Sequence, residues 1–264
     1  MLKLASWNVN SLKVRLEHVL QWMESTNIDI LALQETKLTD EFFPVEAFQS
    51  KGYEVVFAGQ KTYNGVAIIS RYPMIETVTD MESFVDPQRR ILAVTIPNIA
   101  ALGGEPIRLL NLYVPNGASL ISEKYCYKLD WLDKMTHFIR EQLTRYSNVA
   151  VVGDFNIAPE DRDVHDPMAC IDEVLVSPAE REAFAKLLQL GLSDSFRNFP
   201  QEANTFSWWD YRAAGFRRNR GFRIDHILLS TALNTRCLTS NIDPTPRGWE
   251  RPSDHAPVWV NLSG

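Results

Sequence analysis

Two periods of apolar residues share this chain. Runs of strand length recur at Lys3 to Trp7, Ile28 to Leu33, Tyr53 to Phe57, Gly65 to Ser70, Ile91 to Ile96, Ile107 to Val114 and Val149 to Val152. Between them lie stretches of helical spacing. Leu12, Leu16, Val19, Leu20 and Met23 predict a helix that Ser11 or Asn10 caps and that runs to about Ser25. Leu129, Leu132, Met135, Phe138, Ile139 and Leu143 predict a longer one. Ser177-Pro178-Ala179-Glu180 has the form of a capping box with proline at the first helical position, and Phe184, Leu187 and Leu188 continue that helix until Gly191. Thr205 to Trp209, Ile224 to Leu229 and Pro257 to Val260 read as further strands.

The order of these elements matters more than their bounds. Two strand–helix–strand passages appear, and parallel neighbours joined in this way deliver their ends to one rim of a sheet. The first passage sets Asn8 and Glu35 at corresponding strand ends. The second returns the chain to Val149-Ala-Val-Val-Gly-Asp-Phe-Asn, a strand buried on both faces, after which Gly153 lets the backbone turn and Asp154 and Asn156 follow. With no linker or short-period repeat in sight, the expectation is one domain over residues 1–264 with two sheets face to face inside helical layers.

Composition narrows this picture. The 45% hydrophobic content supports a substantial core. No apolar run approaches the ~20 residues that cross a bilayer, and Met1-Leu2-Lys3-Leu4 lacks the regions of a signal peptide, so a soluble cytoplasmic protein without a membrane partner is expected. Cys126, Cys170 and Cys237 are too scattered for a zinc site or a disulfide framework. The net charge of −6 argues against coating nucleic acid by bulk charge. One segment departs from it: Arg212, Arg217, Arg218, Arg220 and Arg223 lie among Tyr211, Phe216 and Phe222 without an acidic residue. An acidic body with one basic, aromatic segment fits an enzyme that binds a polyanion at one place.

Asn8, Glu35, Tyr113, Asn116, Asp154, Asn156, Asp225, Asp254 and His255 all fall at strand ends or in adjoining turns. Carboxylates and carboxamides with one well-placed histidine make a hard oxygen site suited to Mg²⁺ or Mn²⁺, with Glu35 as ligand and Asn8 or Asp254 beside it. Such a site calls for a phosphate ester. The cation, His255, Asn116 and Tyr113 would offset the phosphate charge, Asp154 would take a proton from water that Asn156 orients, and Asp225 would orient His255. Each residue also has a structural reading: Asp154 and Asn156 as a turn, Glu35 as a helix cap, Tyr113 as an interior aromatic, Asp225 as the partner of Arg223.

Ser6-Trp7-Asn8-Val9-Asn10, Leu33-Gln34-Glu35-Thr36-Lys37, Tyr113-Val114-Pro115-Asn116, Gly153-Asp154-Phe155-Asn156-Ile157, Phe206 to Arg212, Asn219 to Asp225 and Ser253-Asp254-His255-Ala256-Pro257 together resemble the exonuclease III branch of the abasic-site endonucleases, over essentially the whole chain. The resemblance implies the four-layered α/β sandwich of the endonuclease/exonuclease/phosphatase superfamily, with two mixed β-sheets. It also implies Mg²⁺- or Mn²⁺-dependent phosphodiester hydrolysis in damaged double-stranded DNA by a monomer: incision at abasic sites, removal of 3′ blocks and 3′-to-5′ exonuclease action. Position by position it makes Glu35 the main metal ligand with Asn8 and Asp254 nearby, and gives Asp154, Asn156, Tyr113, Asn116, Asp225 and His255 the roles stated above. Trp208 and Phe222 match the wall of a pocket for a flipped-out abasic sugar, with Arg212, Arg217 and Arg220 on the DNA-facing segment.

Two positions depart from the family pattern. Asn10 stands where some relatives carry an aspartate, and the Asp161 to Cys170 segment differs from a longer loop in relatives, with His165 as a candidate specificity residue facing the DNA. The alternative activity is therefore 3′-end processing with little internal incision. Two other readings compete: a lipid phosphatase or sphingomyelinase on the same fold, and a DNA-binding module without catalysis. The first lacks an apolar docking segment, and the second has no use for a water-activating carboxylate.

Overall fold

The computed structural model describes residues 1–81, 84 and 86–264. In chain order its elements are β1 (Leu2–Asn8), α1 (Leu12–Thr26), β2 (Ile30–Gln34), α2 (Val45–Gln49), β3 (Glu54–Ala58), β4 (Val66–Ser70), β5 (Ile75–Val78), β6 (Ile91–Ile96), β7 (Ile107–Tyr113) and α3 (Glu123–Arg145). There follow β8 (Val149–Asp154), α4 (Pro178–Gln189), β9 (Leu192–Asp194), β10 (Trp208–Trp209), β11 (Gly221–Phe222), β12 (Asp225–Ser230), α5 (Thr231–Asn234), β13 (Cys237–Ile242) and β14 (Val258–Leu262). They form two six-stranded mixed sheets, in the orders β13-β14-β1-β2-β4-β3 and β5-β6-β7-β8-β12-β9, and a two-stranded ribbon of β10 and β11.

Alternation along single strands explains the layers. On β1, Leu2 and Leu4 point into a core shared with Leu109, Ala150, Val152, Ile227 and Leu229 of the second sheet. Ala5 and Trp7 point the other way, against Val19, Trp22 and Met23 of α1. The outer face of the second sheet, through Leu110, Leu112, Val149 and Val151, packs on Trp131, Met135 and Ile139 of α3 and Phe184 of α4. Both sheets are thus covered on both sides, which is why their central strands read as continuous apolar runs.

β1 and β2 are parallel, as are β7 and β8, so both strand–helix–strand passages form as expected. Ser177 and Glu180 complete their capping box reciprocally. Three expectations are corrected. Neither Ser11 nor Asn10 caps α1: the Ser11 and Leu12 amides donate to the carbonyls of Glu35 and Thr36, while Asn10 spends its side chain on Asp254. Gly153 is not a turn residue but lies inside β8, where a Cβ would stand 1.9 Å from the Leu112 carbonyl oxygen. The strand expected over Thr205 to Trp209 contracts to β10; just before it the Ile224 and Asp225 amides donate to the Ser207 side chain instead of to a strand backbone. The unforeseen strands β5, β9 and β13 are all sheet edges, short or polar as edges tend to be. The three cysteines are free, and among the described residues no helix is long and apolar enough to cross a membrane.

Candidate active site

The site straddles the rims of both sheets. Parallel pairing sets Asn8 opposite Gln34, one residue before Glu35, and Tyr113 opposite Asp154. Antiparallel pairing sets Asp225 opposite Asp154, and a bridge ties His255 to Trp208. A polar seam joins the two rims beneath. Asn111 of β7 donates to the carbonyls of Leu33 and Ala67, both at 2.9 Å, and accepts from Gln34 at 2.7 Å. Gln34 also donates to Ser6 at 2.9 Å. Apolar packing between sheets is non-directional; these bonds fix their offset.

Left-handed backbone marks the residues that emerge. Glu35 has φ 51° and Asn156 φ 49°, conformations that cost a non-glycine residue about 1–3 kcal/mol and persist only where surroundings enforce them. For Glu35 the enforcement comes from the Ser11 and Leu12 amides on one side and from Thr36 and Lys37, which donate to Gly65 and Asn64, on the other.

Asn8 bridges two carboxylates: its amide donates to Glu35 at 2.8 Å and to Asp154 at 2.9 Å, while its oxygen accepts from the Asn10 amide. Asp154 also accepts from the Asn156 backbone at 2.9 Å, and Asn156 receives Asn116 on its oxygen at 3.1 Å. His255 donates Nδ1–H to Asp225 at 2.8 Å, with Nε2 at 3.7 Å from Asp154. Ser207 holds the same Asp225 oxygen at 2.7 Å.

These contacts set the charges. Burial alone lowers the His255 pKa, but the carboxylates of Asp225 and Asp154 outweigh it and raise it to about 10, so the ring is an imidazolium at neutral pH. Burial first, then the charges of Asp225 and Glu35, push Asp154 up to about 7 against the pull of His255 and Asn8. Burial and the Glu35 and Asp154 charges hold the Tyr113 hydroxyl well above its ordinary range, which keeps it a donor.

Donor atoms of Glu35, Asp154 and His255 lie within 4.8 Å of one another. Oxygen chemistry here suits a hard divalent cation, and Glu35, the least buried of the three, is the group most open to one. Asp254 stands aside from this group. Its two oxygens are taken by Asn10 and by the Trp208 indole N–H, both at 2.9 Å.

An aromatic wall adjoins the histidine. Trp208 lies 6.5 Å from His255 and 5.7 Å, edge to face, from Phe222; His165 meets the other side of Phe222 at 5.6 Å. Arg217, Arg218 and Arg220 are exposed, as is Arg212, which pairs with Asp210. Arg223 must be removed from this surface set. It is buried and paired with Asp163 and Asp194, and not with Asp225, because a guanidinium so desolvated needs carboxylates on both sides.

Residues 5–255 match the Endonuclease/Exonuclease/phosphatase family. The chain belongs to this family. Within the endonuclease/exonuclease/phosphatase family it is 34% identical to the exodeoxyribonuclease III of Haemophilus influenzae, over 99% of this chain and 100% of that protein. Its fold superposes on a 3′ phosphatase, NExo from Neisseria, bound to a product DNA hairpin, with a TM-score of 0.95, 42% identity and 100% of both chains covered. An AP endonuclease from Archaeoglobus fulgidus superposes with a TM-score of 0.92 and 37% identity over 99% of both chains.

Several residues of this endonuclease/exonuclease/phosphatase site escaped the sequence reading. Asn111 carries no motif, and Ser207, though inside the Phe206 to Arg212 run, shows its role only through its partner Asp225. Lys37, whose ammonium lies 2.9 Å from Glu35, stood within a quoted motif two residues from the metal candidate, a spacing that left-handed Glu35 turns into contact. His226 accepts from Arg223 on Nδ1 and donates from Nε2 to the carbonyl of Ile157 at 2.9 Å, steadying the loop after Asn156. Burial, then Arg223, hold its pKa down at about 4, against 6.5 for a free imidazole. Between these values the unfolded chain binds the extra proton, so stability falls as pH drops from 6.5 to 4, by about 3 kcal/mol from this group. Denaturant midpoints across that range should fall less steeply in a His226→Gln variant; parallel slopes would assign the loss to other groups.

Proposed function

We propose that this protein is a divalent-metal-dependent DNA repair phosphodiesterase of the exodeoxyribonuclease III type. It acts on damaged double-stranded DNA in base excision repair as an AP endonuclease, a 3′-phosphodiesterase and 3′-phosphatase, and a 3′-to-5′ exonuclease. We take it as one catalytic domain over residues 1–264, monomeric and cytoplasmic. The observation that carries the reading is the meeting of Glu35, Asp154 and an Asp225-backed His255 beside an aromatic wall.

Glu35, with Asn8 beside it and Asp254 behind Asn10, would hold Mg²⁺ or Mn²⁺, which would supply positive charge against the phosphate. The remaining work belongs to the chain. Tyr113 and Asn116 donate hydrogen bonds to the phosphate oxygens, and the His255 imidazolium adds a fixed positive charge where negative charge grows. Asn156 orients a water. Asp154, whose pKa of about 7 lies near the working pH, accepts its proton as the oxygen attacks phosphorus and the P–O3′ bond breaks. The carboxylates of Asp225 and Asp154 raise the His255 pKa and favour its charged form, which supports Asp154 as the acceptor of that proton. Trp208, Phe222 and His165 enclose the sugar that lacks a base, and Arg212, Arg217 and Arg220 meet flanking phosphates.

The similar structures carry both 3′ phosphatase and AP endonuclease names at comparable identity, 42% and 37%, so they do not favour a restriction to 3′ ends. Digestion of duplexes bearing an internal abasic analogue, a 3′-phosphate or a blunt end tests the proposal. Cutting of all of them with Mg²⁺, and none with chelator, is the expected result. Release of 3′-phosphate without internal incision would put the restricted activity in its place, and turnover of phosphoinositide vesicles with intact DNA would overturn the nuclease reading altogether.

A further inference from the structure

Lys128 takes no part in the chemistry above, yet it is fully buried beneath it. From α3 its ammonium donates to the carbonyl of Asn116 at 3.1 Å, to the carbonyl of Asn156 at 2.7 Å and to the carboxylate of Glu180. An ammonium has three hydrogens, and all are used. Glu180 is equally buried and fully engaged: it accepts from the Leu175 amide at 3.0 Å and, through the capping box, from the Ser177 amide at 3.1 Å and hydroxyl at 2.6 Å.

Stability alone gives this arrangement little reason to exist. Desolvating two charges costs several kcal/mol each, and well-packed apolar groups of similar size often do as well or better. Its other ends are informative. The two carbonyls belong to the residues whose carboxamides touch each other at 3.1 Å, and one of these residues, Asn156, is held in left-handed backbone. Between them Gly117, with φ +99°, passes so close that a Cβ there would stand 3.3 Å from Lys128 Cδ. Two separate loops, after β7 and after β8, are thereby drawn onto one point.

We propose that Lys128, neutralised by Glu180, is a positioning residue for DNA cleavage: it clamps the backbones of Asn116 and Asn156 so that both carboxamides face the scissile phosphate and its attacking water. This rests on the function proposed above. The clamp acts on geometry and not on affinity, because it touches neither DNA nor the reacting atoms, and supports of this kind are typically worth about 10- to 100-fold.

The test is single-turnover cleavage of an abasic duplex by the paired variant Lys128→Met/Glu180→Gln, which removes both charges and keeps one acceptor oxygen for the Ser177 cap. The rate of the folded protein is expected to fall about 10- to 100-fold, with the duplex Kd within about threefold and the melting temperature lowered, because the Asn116 and Asn156 carbonyls and the Leu175 amide lose their partners. Introduced into Asn156→Ala, the same pair is expected to cost less than about fivefold, because part of its route is already gone. An unchanged rate, or the full loss repeated in Asn156→Ala, overturns the proposal. Where the paired variant does not fold, Gly117→Ala, whose methyl would stand 3.3 Å from Lys128 Cδ and press on the clamp, should slow cleavage several-fold at unchanged Kd, and wild-type rates there overturn it equally. Wild-type protein that cuts no DNA would instead refute the function on which this rests.

Discussion

Asp154→Asn is expected to lower DNA cleavage by about 10²–10⁴-fold while leaving duplex affinity unchanged or tighter. The exchange keeps the size of the side chain and an oxygen to receive the Asn156 amide, but it removes the carboxylate proposed above to take the proton from water. It also removes a negative charge from a place that must receive a phosphate, so binding has no reason to weaken. Rates at saturating enzyme and Kd from fluorescence anisotropy separate the effects. Equal loss of binding and cleavage would show that Asp154 serves as an anchor for DNA or cation and not as the proton acceptor.

The largest effect on folding is expected at Gly153. Its φ is +144°, and an alanine methyl would meet the Leu112 carbonyl oxygen at 1.9 Å, its carbon at 2.8 Å and the Leu112 nitrogen at 3.0 Å, all backbone, with no flexible side chain among them to give way. β7 and β8 would have to separate at Leu112 and Gly153, which pair directly, one position from where Tyr113 pairs with Asp154. Gly153→Ala should destabilise by about 4 kcal/mol or more, from overpacking and backbone strain together. Any folded fraction should cleave poorly, since a shift of about 1 Å in catalytic geometry costs on the order of 100-fold. Denaturant midpoint and soluble yield decide it: a variant within about 1 kcal/mol of wild type would mean that the strands tolerate the methyl.

What was legible in the chain followed what produced a period. Central strands buried on both faces announce themselves as apolar runs, and β6 was bounded to the residue. Edge strands such as β13, with Thr239 and Ser240 in its middle, bury too little to leave a pattern. At the site, Glu35, Asp154 and His255 were readable because each lies at or near a strand end: Glu35 just after β2, Asp154 at the end of β8 and His255 shortly before β14. Their supports were not. Asn111 and Lys128 lie within a strand and a helix, where a polar residue looks incidental until the partner across the fold is known. Arg223 shows the converse error: sequence proximity to exposed arginines said nothing of Asp163 and Asp194, which reach it from distant segments.

The seam of Asn111, Gln34 and Ser6 joins two sheets that each own only part of the active site: Asn8 and Glu35 on one, Tyr113, Asp154 and Asp225 on the other. A slip of one sheet against the other by a single residue would therefore carry Asn8 and Glu35 away from Asp154, so the hydrogen bonds across the seam guard the site as much as the fold.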